Sequence, residues 1–372
     1  MQKKKSKLKN AQEEAQVAIN KTNEKIDELG KSTKNLYLQL TAIQEIFDKI
    51  RNIPSDKKLQ YEELKQVRLN WKEQAEKIEN DYKEASIKNV GAGATGAGIG
   101  VAIVTLGPTA AMGVATTFGV ASTGTAISAL SGAAATNAAL AWLGGGALVA
   151  GGGGMAAGEA VLALAGPVGW AIAGAALLTS GLLFIKNHND KKHIESIFTL
   201  ISKRDISSYE LAIVELNERI ARIIDETKKL IEAIDDIMTF GQDYVLMSER
   251  QQYSLGAYVN LMLSSTQLLV NPILGLQPKF TVDDYICALC YEGDEEIERA
   301  DTEEQRLVVF LANLLYKIDL SEKDKHLLWK ALRKNKKMLK ALNVSKKTFN
   351  KDAFDEVFEA LNYKYSLENE EM

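Results

Sequence analysis

Two cysteines that lie three residues apart are the best candidates in this sequence for redox or metal chemistry. Cys287 and Cys290 form a CxxC motif within "DDYICALCYEG". A thioredoxin-like redox site places this motif beside a β-strand, and no strand pattern is found near it. Structural zinc needs four ligands, and neither a second cysteine pair nor a nearby histidine is present. We therefore predict that both thiols pack among apolar neighbours on one face of a helix.

A single carboxylate, Glu159, interrupts a long stretch that has no other ionisable side chain. Because a charge in an apolar environment is costly and burial raises the pKa of a carboxyl group, Glu159 could act as a pH-sensitive latch or line a pore. It could instead lie near the start of a helix, after "GGGGMAAG", where a carboxylate stabilises the helix dipole. We favour the second interpretation. No catalytic triad, P-loop or dinucleotide-binding motif is found, so the sequence predicts a protein that is not an enzyme and needs no cofactor.

The stretch around Glu159 differs sharply from the rest of the chain. Residues 89–185 contain 22 of the 27 glycines, whereas the chain as a whole carries 45 Lys and Arg and 49 Asp and Glu residues. The stretch is too rich in Ala, Val, Leu and Ile for a disordered linker, because disorder favours polar composition. Ala160–Ile185 is long enough to cross a bilayer, which takes about 20 apolar residues. Ile99–Val120 and the part between these two segments are weaker candidates.

Three further interpretations of residues 89–185 remain: the buried core of a soluble protein, permanent transmembrane helices, and a hairpin that is covered in a soluble form and inserted later. Ala and Gly favour insertion far less than Leu, Ile, Val and Phe do, so such a segment can stay soluble when partners cover it. We therefore favour the conditional hairpin, in which small residues would also allow close helix packing in lipid. The residues expected to take part in insertion or packing are Gly96 and Gly100 (a GxxxG pair), Trp142, Glu159, Trp170, Gly174, Gly181 and Lys186.

Two helical arms flank the hydrophobic hairpin. In the first arm, residues 1–88, Leu29 begins a series of apolar residues that recur every seven positions to Ile50, with a second series three residues earlier. This pattern is typical of a coiled coil, and Pro54 interrupts it. The second arm, residues 186–270, repeats the pattern.

We predict an all-α fold: a long antiparallel coiled-coil bundle with a Gly/Ala-rich hydrophobic helical hairpin and a small helical domain at residues 279–365. Antiparallel pairing is the simplest way for the two arms to bury both apolar seams. Paired arms would lie on the same side of a membrane. The hairpin between them would then cross the bilayer an even number of times.

The order of arm, glycine-rich hairpin and arm resembles the α-helical pore-forming proteins of the cytolysin A and hemolysin BL group. It also looks like the translocator proteins of bacterial secretion systems and the glycine-zipper membrane toxins exported by Gram-positive bacteria. The block "STGTAISALSGAAATNAALAWLGGGALVAGGGGMAAG" is similar to glycine-rich blocks of bacterial membrane-active proteins. The resemblance covers about residues 7–270 and rests on architecture and composition. It implies a soluble helical bundle whose hydrophobic part inserts into a bilayer and oligomerises, and it brings no catalytic residues.

Charge and composition also predict the partners and the location of the protein. A net charge of −4 does not favour nucleic acid. We expect a lipid bilayer and either further copies of this chain or a partner coiled-coil protein, without a small-molecule substrate. The acidic run Tyr291–Glu304 and the basic run Lys323–Lys351 are solvated helical faces or, alternatively, a patch for anionic lipid. Because the N-terminus lacks the apolar core of a signal peptide, we expect a cytoplasmic protein that associates with a membrane when active, with signal-independent secretion left open.

Overall fold

The computed structural model describes residues 7–90, 108–118, 187–292, 302–342 and 344–370. Within these ranges the chain forms helices and no strands, apart from one isolated β-bridge, so the predicted all-α fold is confirmed. The helices are α1 (Lys7–Phe47), α2 (Ser55–Val90), α3 (Pro108–Phe118), α4 (His188–Ile237), α5 (Glu249–Val270), α6 (Val282–Glu292), α7 (Glu303–Leu315), α8 (Glu322–Leu332), α9 (Lys336–Ala341) and α10 (Asp352–Glu370).

The apolar heptad positions of α1 form the centre of a helical bundle. All eight of them are at most 7% exposed, and α1 packs along α4 for much of its length. In α4 the corresponding positions are also buried, apart from Ile213 and Ile234, which are half-buried. These eight positions are Ile26, Leu29, Thr33, Leu36, Leu40, Ile43 and Phe47 of α1 and Ile50 just after it.

The two long helices run parallel, so the predicted antiparallel pairing of the arms is wrong. In the first half of each helix, one groove is lined by residues of both, within Asn10–Lys21 of α1 and Ile206–Ile213 of α4. Near their ends, the backbone N–H of Arg51 donates to Gln242 O (2.9 Å) and that of Tyr244 donates to Arg51 O (3.0 Å).

The chain reverses its direction between α1 and α2. Successive contacts pair Phe47 with Tyr61 and then Gln44 with Arg68, so α2 runs back along α1. The chain therefore returns towards the end of the bundle where α1 began, and α4 starts from that end. A second reversal sends α5 back along α4, where Tyr258 donates to Asp236 (2.6 Å).

A second hydrophobic cluster lies beyond the bundle. It is formed by α6 to α10, together with residues near the start of α4 such as Ile197 and Phe198, and Leu8 of α1. Asn313 fixes the entry of the chain into this cluster. Its Oδ1 accepts from the backbone N–H groups of Lys279 (2.9 Å) and Phe280 (3.0 Å), and its Nδ2 donates to Phe280 O (2.6 Å).

One stretch within the described ranges, Glu249–Leu276, is long and apolar enough to cross a membrane. It includes α5, whose side chains Leu255, Met262 and Leu269 are buried in the bundle. A core helix of a soluble protein can have the same length and composition. This stretch is therefore only weak support for a membrane span.

The parallel arrangement can be tested with spin labels on exposed positions. A label pair at Lys49 and Gln242 should be within about 25 Å, because both residues adjoin the loop contact at Arg51. A pair at Lys49 and Asn189 should be separated by more than about 60 Å, since α4 rises 1.5 Å per residue between them. Pulsed electron spin resonance measures both distances. The reverse order of distances would show an antiparallel pairing.

Candidate functional site

Apart from Asn89 and Val90 at the end of α2, the structure describes only one part of residues 89–185, the helix α3. The predicted insertion and packing residues all fall within 91–107 or 119–186 and so lie outside the described residues: Gly96, Gly100, Trp142, Glu159, Trp170, Gly174, Gly181 and Lys186. The candidate site is therefore the set of contacts that hold α3 in the bundle. We call it the α3 site and define it by Ile26, Gly30, Trp71, Ile273 and Gln277.

The backbones of α1 and α3 touch at two glycines, Gly30 and Gly113. A Cβ atom at Gly30 would overlap the carbonyl oxygen of Thr109 and lie 2.9 Å from the backbone nitrogen of Gly113. A Cβ atom at Gly113 would overlap the carbonyl oxygen of Ile26. The close approach therefore requires glycine on both helices. Small residues allow the same kind of backbone packing between helices in membranes.

On its other side, α3 contacts a buried aromatic residue of α2. Trp71 is fully buried, and its Nε1–H donates to Thr116 Oγ1 (3.2 Å). The ring of Tyr37 from α1 lies 5.5 Å from the Trp71 ring. One helical turn before Trp71, the buried guanidinium of Arg68 donates to Gln44 Oε1 (3.0 Å), and burial lowers the pKa of Arg68 to about 10. The α1–α2 interface beside the α3 site thus contains a buried charge at neutral pH.

The C-terminal end of α3 is held by the loop that follows α5. The carbonyl oxygen of Thr117 accepts hydrogen bonds from the backbone N–H of Ile273 (2.8 Å) and from the side-chain amide of Gln277 (3.1 Å). These bonds tie the last described turn of α3 to this loop. The α3 site therefore combines close packing along the helix with hydrogen bonds to its backbone.

Burial of α3 shows that the bundle covers part of the hydrophobic segment. Ala115, Thr116 and Thr117 are all fully buried. The helix has few large side chains ("PTAAMGVATTF"), so its fit depends on shape and backbone contact more than on buried apolar area. If α3 left the bundle, the helix itself would expose little buried apolar surface. Ile26 and Trp71 of the bundle would lose the helix that covers them.

The predicted packing of the two cysteines is wrong. Cys287 and Cys290 are both exposed free thiols on α6. The buried face of this helix carries Tyr285 and Ala288 instead. Among the described residues, no group of three or more His, Cys, Asp or Glu side chains could hold a metal ion.

A second polar centre lies where α4 meets the C-terminal helices. Nε and Nη2 of Arg204 donate to Asp205 Oδ1 (2.9 and 2.6 Å). Its Nη1 donates to the carbonyl oxygens of Asn313, Leu314 and Tyr316 (3.3, 3.1 and 2.7 Å) at the end of α7, where a cation stabilises the helix dipole. Burial raises the pKa of Asp205 to about 6, although the Arg204 guanidinium opposes the shift.

Neither the close packing at the α3 site nor the polar contacts of Arg204 and Asp205 were predicted from the sequence. One signal for the α3 site was present, because Gly30 is the only glycine before Gly91 and lies within a 41-residue helix. Glycine inside a helix costs about 1 kcal/mol relative to alanine, so an isolated one indicates a close contact. Arg204 and Asp205 carried no such signal, since adjacent opposite charges are common on exposed helices.

No family model, curated protein or solved structure matches this chain. The resemblance to helical pore-forming proteins therefore stays a prediction.

Substitution at the glycine contact should destabilise the fold. Gly30→Ala should lower the free energy of unfolding by about 1–3 kcal/mol, because its methyl group overlaps Thr109 O and must push α3 away. Gly256→Ala in α5 is the matched control, since no described atom lies within 4 Å of its Cβ position, and it should raise stability by up to about 1 kcal/mol. Urea unfolding measures both. A stabilising effect of Gly30→Ala would contradict the close contact.

Acidification should stabilise the junction through Asp205. Its pKa is about 6 in the folded chain and about 3.9 in an unfolded chain, so the folded chain binds the proton more tightly. This stabilisation is complete below the unfolded pKa and is lost as pH rises through about 6. Relative to Asp205→Asn, the wild-type free energy of unfolding should rise by on the order of 2 kcal/mol from pH 7 to pH 4.5. A difference between the two proteins that stays constant with pH in urea unfolding would refute this.

Proposed function

We propose that this protein is membrane-active: its bundle covers the hydrophobic segment in one state, and the segment inserts into a bilayer and oligomerises into a pore or lesion in another. The observation that carries the proposal is the burial of α3, because α3 is the described part of that segment. A marginally apolar segment needs such cover to stay soluble. The bundle supplies it through Gly30, Trp71 and the loop at Ile273.

The chemistry of α3 supports a contact that can be exchanged for a membrane. The helix packs through glycine, alanine and threonine, and small residues also mediate helix association in lipid. Leaving the bundle breaks the hydrogen bonds of Thr116 and Thr117 with Trp71, Ile273 and Gln277. Intrahelical bonds such as Thr117 Oγ1 to Gly113 O (2.8 Å) would persist. The described contacts therefore allow α3 to leave as an intact helix.

A second candidate function is a permanently anchored coiled-coil scaffold or a component of a secretion translocator. In that case other parts of residues 89–185 would span the membrane while α3 stays in the bundle. The two candidates differ in one physical event, the departure of α3 from the α3 site. An experiment that prevents this departure separates them.

A disulfide between α3 and the loop at Ile273 should block membrane activity. The 2.8 Å hydrogen bond from Ile273 N–H to Thr117 O places the two Cα atoms about 5–6 Å apart, a separation that disulfides bridge. Thr117→Cys/Ile273→Cys, in a background with Cys287→Ser and Cys290→Ser, should release little dye from phosphatidylcholine–phosphatidylglycerol vesicles when oxidised. Reduction should restore release to the level of the unlocked background protein.

The single variant Thr117→Cys in the same background is the control, because it cannot close the disulfide and should release dye in both redox states. Thiol titration verifies that the double variant is oxidised. Equal release by oxidised and reduced double variant would show that α3 stays in place, as the anchored scaffold requires. Absence of release from every variant over pH 5–8 would refute the membrane-active function.

A further inference from the structure

A strongly basic stretch of the sequence folds into the C-terminal helices. Residues Lys323–Lys351 include 11 of the 45 Lys and Arg residues of the chain and a single acidic residue, Asp324. The rest of the chain carries 34 Lys and Arg against 48 Asp and Glu. Positive charge is therefore concentrated in this stretch, and such a concentration attracts partners of the opposite sign.

Two side chains at the end of α8 fold part of this stretch into one surface. Arg333 donates from Nε to Phe349 O (2.8 Å) and from Nη2 to Lys346 O (3.3 Å). One turn earlier, Nε1 of Trp329 donates to Asn350 O (2.9 Å). These bonds hold the loop before α10 against the end of α8.

Four lysines meet where this loop contacts α8. Lys330 and Lys334 directly follow the two residues that bind the loop, and Lys346 and Lys347 lie in the loop itself. All four side chains are exposed, and no ion pair joins any of them to a carboxylate among the described residues. We call these four residues the basic face. Their charges are free to act on a partner.

The shape of the basic face does not depend on its lysine side chains. Besides Arg333 and Trp329, the carboxylate of Glu303 on α7 holds the loop, because it accepts from the backbone N–H of Ser345 (2.9 Å) and from the hydroxyl of Thr348. The face is therefore formed before a partner arrives. Substitution of its lysines should leave the fold intact.

The basic face lies close to the end of the hydrophobic segment. Helix α8 contacts the start of α4, where His193 Nδ1 lies 3.2 Å from Asp324 Oδ1. The described chain resumes at Asn187, which precedes His193 by less than two helical turns. The covalent chain therefore keeps Ile185, the last residue of the strongest candidate span, within roughly 30 Å of α8.

We propose that the basic face docks the protein on a bilayer that contains anionic lipid. Its lysines contact the phosphate groups of the lipid headgroups, and the more acidic remainder of the chain faces away from the surface. Docking then brings the end of the hydrophobic segment to the bilayer. This inference rests on the proposed membrane activity, to which it adds the class of lipid and the orientation of the docked protein.

The chemistry of the basic face favours lipid headgroups over nucleic acid. Arg333, whose planar fork could bind a fixed phosphate or a base edge, is committed to backbone carbonyl groups. Trp329, which could stack on a base, is covered by the Arg333 guanidinium at 5.4 Å from its ring. The charges that remain belong to flexible lysines. These act as point charges and suit a layer of headgroups that have no fixed positions.

Cosedimentation of the full chain with vesicles tests docking separately from insertion. The protein should bind phosphatidylcholine–phosphatidylglycerol vesicles at least about tenfold more tightly than vesicles of phosphatidylcholine alone. This preference should disappear as salt rises from about 0.1 M to about 1 M, because the Debye length falls from about 10 Å to about 3 Å.

Substitution of the basic face should remove most of this binding. Lys330→Gln/Lys334→Gln/Lys346→Gln/Lys347→Gln should weaken binding to the anionic vesicles by at least about a hundredfold, since each lysine near an anionic surface contributes about fivefold. Circular dichroism verifies that the variant is folded. If it does not fold, Lys346→Gln/Lys347→Gln, outside the helices, takes its place and should lose about tenfold or more.

A matched control has the same net charge as the first variant. It replaces four exposed lysines of the bundle, none of which belongs to the C-terminal cluster, and should bind anionic vesicles within about threefold of wild type. The control substitutions are Lys34→Gln, Lys49→Gln, Lys58→Gln and Lys228→Gln.

The locked protein separates docking from the proposed membrane activity. Oxidised Thr117→Cys/Ile273→Cys should bind anionic vesicles as its reduced form does, although it releases little dye. Binding by wild type without any dye release would refute the membrane activity and support docking. Equal binding to neutral and anionic vesicles, an equal loss in both lysine variants, or tighter binding to a DNA duplex than to anionic vesicles at equal phosphate concentration would each overturn the docking proposal.

Discussion

Contact between the backbones of α1 and α3 is the interaction on which the arrangement of the bundle depends. Because Gly30 and Gly113 have no side chains, α3 packs closely against α1 and also against α2. This position brings the end of α3 to the loop that follows α5. Glu215 of α4 holds the same loop, because its carboxylate accepts from the backbone N–H groups of Leu274 (2.8 Å) and Gly275 (2.9 Å). A substitution at Gly30 or Gly113 would therefore also disturb contacts of α2, α4 and α5.

Helix α4 connects the bundle to the C-terminal helices, since its side chains belong to both hydrophobic clusters. The pair formed by Arg204 and Asp205 lies at this boundary. Removing one partner of a buried pair leaves an uncompensated charge, whereas replacing both with apolar residues is often tolerated. Removal of Arg204 alone would therefore leave the Asp205 carboxylate buried without its counter-ion. Its proximity to Lys279 also concentrates charge in a region with little water to screen it.

Features that depend on neighbouring residues could be predicted from the sequence, and features that depend on distant ones could not. Pro54, which was predicted to interrupt the first arm, lies in the break between α1 and α2 and directly precedes Ser55 of α2. The caps of α7 and α8 are also local, because the hydroxyls of Thr302 and Ser321 accept from backbone N–H groups within their own helices at 3.1 and 3.2 Å. The heptad pattern does not encode the direction in which two helices pair, so the parallel arrangement of α1 and α4 could not be read from it. The exposure of the Cys287 thiol depends on which face of α6 packs against the C-terminal cluster. The contact at Gly30 needs the position of α3, which lies about 80 residues away along the chain.

The separation of contacts along the chain also sets an order of events during synthesis. Gly30 and Trp71 are synthesised before α3, so α3 can pack against them as soon as it emerges from the ribosome. The loop that binds its end comes much later, because Gln277 follows Thr117 by 160 residues. At about 5–20 residues per second, the ribosome needs roughly ten to thirty seconds to reach it. During that interval the glycine contact and the Trp71 hydrogen bond are the described contacts that keep this hydrophobic helix from other partners.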